Sequence, residues 1–134
     1  MREGTAQPVE RVSLDAYTVL VVEEEPLVAL DLQTALEGAG AEVVLARNAA
    51  EALARIGQFD FTAGVIDWRP ASEDHRVVAR ALKQKKVRFL FYATNPPEDV
   101  TTVRGAPIFL KPAHPEEIVK ALALLMGGSS GARR

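Results

Sequence analysis

Thr18-Val19-Leu20-Val21-Val22-Glu23-Glu24-Glu25-Pro26 decides how this chain folds, because an unbroken apolar run passes directly into three acids and a proline. A short run without polar alternation marks a strand covered on both faces. Pro26 suits a first helical position, where its missing N–H is no loss and its fixed φ is already helical. After it, Val28, Leu32, Ala35, Leu36 and Ala39 recur at the spacing of one helix face, and Gly38 and Gly40 end that helix. A buried strand running into an amphipathic helix is the first half of a βα unit.

Working outward, the same alternation repeats. Residues 42–46 predict a second strand, and Asn48 with Glu51 reads as a capping box for a helix through Ile56, stopped by Gly57. Residues 61–66 predict a third strand ending at Asp67. Ser72 is the expected N-cap of the next helix, with Glu73 and Asp74 in its first turn and Lys83, Lys85 and Lys86 in its last, matching the helix dipole. Val78, Ala81 and Leu82 give that helix an apolar face. Residues 87–92 predict a fourth, aromatic strand, and Asn95-Pro96-Pro97-Glu98 is a breaker that leaves room for only a short helix before Gly105. Residues 108–110 predict a fifth strand. Pro115 with Glu116 and Glu117 opens a last helix carrying Ile118, Leu122 and Leu125 on one face. Five strands alternating with about five helices mean an α/β, doubly wound parallel sheet with helices on both faces. The expected domain runs over 17–126, between flexible extensions at 1–16 and 127–134.

Composition narrows the chemistry. In 134 residues there are 16 Lys plus Arg, 18 Asp plus Glu and no cysteine, with a net charge of −2. A chain of this size buries roughly 68% of its unfolded surface, enough for a core without disulfides or structural zinc. Thiolate metal sites, iron–sulfur clusters and Cys nucleophiles are excluded. Near-neutral charge and few aromatics argue against a nucleic-acid surface. No apolar run approaches the ~20 residues of a membrane span, and no signal peptide is visible, so a cytoplasmic protein is expected.

The polar residues at the strand ends carry the functional signal. In a doubly wound sheet the ligand site lies outside the carboxyl ends of the strands, where strand order reverses. There the first strand ends in Glu23-Glu24-Glu25, the third in Asp67 and the fifth in Lys111-Pro112. Converging carboxylates repel unless they share a cation, and oxygen donors suit a hard ion such as Mg2+. Solvated charges at exposed strand ends are the alternative, and for Glu25 alone a place at the start of the helix suffices. His75 and His114, far apart in sequence, read as surface residues, and Trp68 as cover for the adjacent helix.

VLVVEEEPLVALDLQTALEGAG, VIDW and FLKPAHPEEIVKAL together resemble the receiver domain of two-component response regulators, from about Tyr17 to Met126. The resemblance implies strand order 2-1-3-4-5 and a phosphoryl group taken by an aspartate from a histidine kinase or phosphotransfer protein. Asp67 matches the phosphoacceptor. Glu23 and Glu24 match the acidic pair that holds Mg2+, Glu24 as the direct ligand, and Arg69 matches the position whose backbone carbonyl joins the metal. Lys111 matches the lysine that contacts the phosphoryl oxygens.

The match has departures. Both acids of the pair are Glu where at least one Asp is usual. The switch hydroxyl at the end of the fourth strand falls on Ala93, or on Thr94 if the strand is one residue longer, and the switch aromatic of the fifth strand is replaced by Ile108. The first expectation is therefore a single-domain receiver, not an enzyme, acting by protein contact, with a homodimer through the last helix among its assemblies. The rival is a degenerate receiver that serves as a phosphorylation-independent interaction module. A phosphatase of the haloacid-dehalogenase kind is disfavoured, because the second Asp it needs two residues after the nucleophile is Arg69.

Overall fold

The computed structural model describes residues 12–68, 74–93, 102–103, 106–111 and 113–126. Arg69, Ser72, Glu73, Thr94, the breaker at 95–98, Gly105, Pro112, residues 1–11 of the expected N-terminal extension and all of the expected C-terminal one at 127–134 lie outside the described residues.

Strands β1 (Thr18–Val22), β2 (Glu42–Ala46), β3 (Ala63–Trp68), β4 (Arg88–Ala93), β5 (Thr102–Val103) and β6 (Ala106–Leu110) form one sheet in the order β2-β1-β3-β4-β6-β5. The five long strands are all parallel, which is the expected 2-1-3-4-5 order with β6 as the fifth parallel strand. The two-residue β5 adds an antiparallel edge to β6, which no sequence signal announced. Helices α1 (Pro26–Gly38), α2 (Ala49–Gln58), α3 (Asp74–Gln84) and α4 (Pro115–Leu125) complete the described elements.

The two faces of the sheet carry separate cores because side chains alternate along each strand. Val19, Val21, Val65, Leu90 and Tyr92 point towards α1 and α4, where they meet Leu32, Leu36, Ile118 and Leu122. Leu20, Val22, Ile66, Phe89 and Phe91 point the other way, onto Ala52 and Ile56 of α2 and Val78, Ala79 and Leu82 of α3. Burial on both faces is what the unbroken run at 19–22 required.

Several details differ from the sequence reading. Gly57 does not stop α2, which runs on through Gln58 and ends where the Phe59 N–H reaches the Arg55 carbonyl. One glycine costs a helix only about 1 kcal/mol, too little to end one that is packed. β3 starts later than expected and includes Asp67 and Trp68, since the ladder to β4 continues through Trp68↔Ala93. The core also begins before Tyr17: Leu14 is fully buried and its N–H donates to the Ala39 carbonyl at 2.7 Å. His75 is not a surface residue. It is 6% exposed, with its ring stacked on Trp68 at 3.8 Å between centroids.

Gly40 makes the close approach of this N-terminal segment possible. Its φ is +107°, and a Cβ there would run into the Asp15 carboxylate. Gly40→Ala is expected to cost about 1–2 kcal/mol, from the backbone conformation and the displaced Asp15 together. A fall in the denaturant midpoint at unchanged m-value checks this; an unchanged midpoint contradicts it.

Candidate functional site

Ladder geometry places the polar side chains. The Glu23 N–H donates to the Ala46 carbonyl at 2.9 Å, and the Lys111 N–H to the Ala93 carbonyl at 2.7 Å. Each of these hydrogen bonds extends a strand pairing by one residue beyond the regular strand. Glu23 follows Val19 and Val21 in alternation, as Asp67 follows Ala63 and Val65. Lys111 likewise follows Phe109, so all three share the face that carries α1 and α4.

There they meet. Lys111 Nζ donates to Asp67 Oδ1 at 2.8 Å and stands 2.9 Å from Glu23 Oε1. The contact with Glu23 is an ion pair at a buried carboxylate oxygen. The other oxygen, Glu23 Oε2, accepts the Glu25 N–H at 3.0 Å and so holds the turn into α1. The side chains of Glu23, Asp67 and Lys111 are 1%, 7% and 13% exposed, so their charges act on one another with little water between. Burial works against the charge of Lys111 and is the largest single influence on it. Hydrogen bonding and Coulombic attraction from Asp67 and Glu23 together outweigh burial and hold the ammonium above the ordinary lysine value of 10.5.

Of the residues singled out in the sequence, the structure thus brings together Glu23, Asp67 and Lys111. Glu24 has an exposed side chain beside them, and Glu25 occupies the N-cap of α1 without a side-chain capping bond. β4 reaches Ala93, which is buried and offers no hydroxyl. Ile108, in the place of the expected aromatic, packs with the α2/α3 core. Trp68 covers α3, as expected, through its stack on His75 and an edge contact with Phe91 at 5.1 Å.

Tyr92 is a site residue that the sequence reading missed. It pairs with Asp67 on one side and Phe109 on the other, and the Lys111 ammonium lies 5.4 Å from its ring centroid. Knowing the β3–β4 register would have found it, since that register puts Tyr92 beside Asp67.

Two buried carboxylates already share one positive charge, so the oxygen donors suit a hard cation in kind. They do not form a complete cage: among the described residues no group of three or more acids or histidines is gathered for a metal. Among the same residues, no helix is long and apolar enough to cross a membrane.

No protein-family profile matches the chain. It is 30% identical over 126 residues to the phyllosphere-induced regulator PhyR of Methylorubrum extorquens, covering 89% of this chain and 47% of that protein. The chain therefore spans about half the length of the curated relative it matches. A response regulator receiver protein from Sinorhizobium medicae superposes with a TM-score of 0.75 at 22% identity, covering 86% of this chain and 98% of the other. The response regulator PhyR from Brucella abortus superposes with a TM-score of 0.68 at 30% identity, over 84% of this chain and 47% of that one.

Proposed function

We propose, from the premise that this chain is a response regulator receiver domain, that Asp67 accepts a phosphoryl group from a phosphohistidine on a sensor kinase or phosphotransfer protein in the cytoplasm. The observation that carries this reading is the Lys111 ammonium bonded to Asp67 while also facing Glu23. A carboxylate oxygen of Asp67 attacks phosphorus, the P–N bond to the donor imidazole breaks, and the departing nitrogen takes a proton from solvent. The fixed charge of Lys111 turns from the Asp67 carboxylate to the incoming phosphoryl oxygens and offsets the negative charge spread over them. Glu23 keeps that ammonium at the strand ends when its bond to Asp67 is given up. A Mg2+ ion held by Glu23 and Asp67, with Glu24 and the Arg69 carbonyl as further candidate donors, would supply additional charge neutralisation at the same oxygens. The modified domain would then signal by protein contact. Leu124 and Met126, exposed on and just after α4, offer apolar surface to a second copy.

A phosphorylation-independent interaction module is the second reading, favoured by Ile108 standing where a switch aromatic would be expected and by Ala93 ending β4 where the hydroxyl falls unless Thr94 supplies it. Trp68 separates the two. It is the sole tryptophan and adjoins Asp67. Beryllofluoride with Mg2+ is expected to change its emission in the wild type and much less in Asp67→Asn. An unchanged signal in the wild type favours the module. Turnover of a phosphomonoester, lost in Asp67→Asn, would instead point to a hydrolase.

A further inference from the structure

Tyr92 touches both the side chain of Lys111 and the backbone that leads from it into α4. Its hydroxyl accepts the Ala113 N–H at 2.9 Å and stands 3.2 Å from the Ala113 carbonyl, to which it donates. Its ring faces the Lys111 ammonium, and the residue is 5% exposed. Ala113 lies two residues after Lys111 and two before Pro115, the first residue of α4. Around the site Ala93 has no polar side-chain atom and Ile108 is turned to the other face of the sheet, so neither side chain links Asp67 to this loop.

We infer that Tyr92 is the positioning residue for Lys111 and the link that carries a change at Asp67 to the start of α4. The inference rests on the phosphoacceptor reading for its second half only. An ammonium over an aromatic face is attracted by the ring quadrupole, most strongly where water is excluded, so the ring limits where Lys111 can rest. When the ammonium turns to a phosphoryl group, that attraction weakens and the ring follows or repacks. The hydroxyl cannot leave Ala113 without giving up two part-buried hydrogen bonds, so ring and loop move together. Asp67, Lys111, Tyr92 and Ala113 thus form a continuous chain of contacts from the acceptor to the first turn of α4.

NMR of the full chain tests each half separately. Without any phosphate analogue, the ring current of Tyr92 should move the Lys111 ε-proton resonances upfield; Tyr92→Phe is expected to keep that shift and Tyr92→Leu to abolish it. With beryllofluoride and Mg2+, the wild type is expected to show amide shifts at Asp67, Lys111, Ala113, Glu116 and Glu117. In Tyr92→Phe the shifts at Asp67 and Lys111 should persist, while those from Ala113 onward shrink several-fold. Lys111 ε-proton shifts that are the same in Tyr92→Leu and wild type overturn the positioning role. Amide shifts beyond Ala113 of wild-type size in Tyr92→Phe overturn the link. If the wild type shows no response at Asp67, the phosphoacceptor reading and the link fail together, and the ring-current comparison still decides the positioning role. Should Tyr92→Leu fail to fold, Tyr92→Phe paired with a Lys111→Arg chain decides that role: a guanidinium resonance shifted upfield supports it and an unshifted one overturns it.

Discussion

Lys111→Met is expected to lose about 3 kcal/mol of stability at neutral pH, because it removes the buried cation that both Glu23 and Asp67 face. Without the ammonium, Glu23 and Asp67 face each other as like charges, and millimolar Mg2+ should restore part of the stability by binding between them in the folded state alone. Asp67→Asn is expected to behave quite differently: Glu23 and Lys111 remain as a one-to-one pair, and stability should stay within about 1 kcal/mol of wild type. In the wild type the raised pKa of Lys111 has its own consequence. Its stabilisation is complete below the ordinary lysine value and is lost as pH rises through the higher folded one, so alkaline unfolding should have a limb that Lys111→Met lacks. Chemical denaturation across pH measures all of these. Equal losses in Lys111→Met and Asp67→Asn would contradict the two-to-one charge arrangement.

Phe91→Ala should have a still larger effect, about 3–5 kcal/mol. Phe91 has no exposed surface and meets Phe89, Trp68 and His75 edge-on, at 5.4, 5.1 and 5.8 Å between centroids. Its removal opens a cavity under the Trp68–His75 stack, next to the residue that precedes Trp68 in the same strand, Asp67. Phe91→Leu fills most of that space and is expected to cost about 1–2 kcal/mol. A loss under about 1 kcal/mol in Phe91→Ala would mean that α3 collapses onto the sheet and the stack is not held from below.

Much of this arrangement was legible in the sequence, because periodicity reports burial. The run at 19–22, the strand at 42–46, Asn48 as N-cap and Pro26 and Pro115 as helix starts all reflect local chemistry, and the Asn48 side chain does accept the Glu51 N–H at 2.9 Å. The reciprocal half of the capping box is displaced by one residue. Glu51 accepts instead from the Arg47 N–H at 2.8 Å, and this bond holds its carboxyl below the usual range.

What the sequence hid depends on register and on partners remote in the chain. His75 read as surface because a lone histidine suggests solvent. His75, Val78, Ala79 and Leu82 nevertheless fall at i, i+3, i+4 and i+7, one buried face of α3, and that spacing was the available signal. The apolar run of β3 ends before Asp67, whereas the strand itself runs on to Trp68, because strand ends are set by the neighbouring ladder. The acids at 23–25 could be placed at the strand end, with Glu24 set first as a metal ligand by resemblance alone, but their burial could not be foreseen. The turn into α1 buries Glu23 and leaves Glu24 exposed, which no spacing rule foretells. Tyr92 carries no signal of its own in the sequence, because its contacts exist only where β3, β4 and β6 lie side by side.

The most direct measurement is the intact mass of the wild type and Asp67→Asn after incubation with Mg2+ and a small phosphodonor. Addition of a single phosphoryl group to the wild type, released by hydroxylamine as an acyl phosphate is and absent from Asp67→Asn, is the expected result. No addition to the wild type, or equal addition to both proteins, would contradict the assignment of Asp67 as the acceptor.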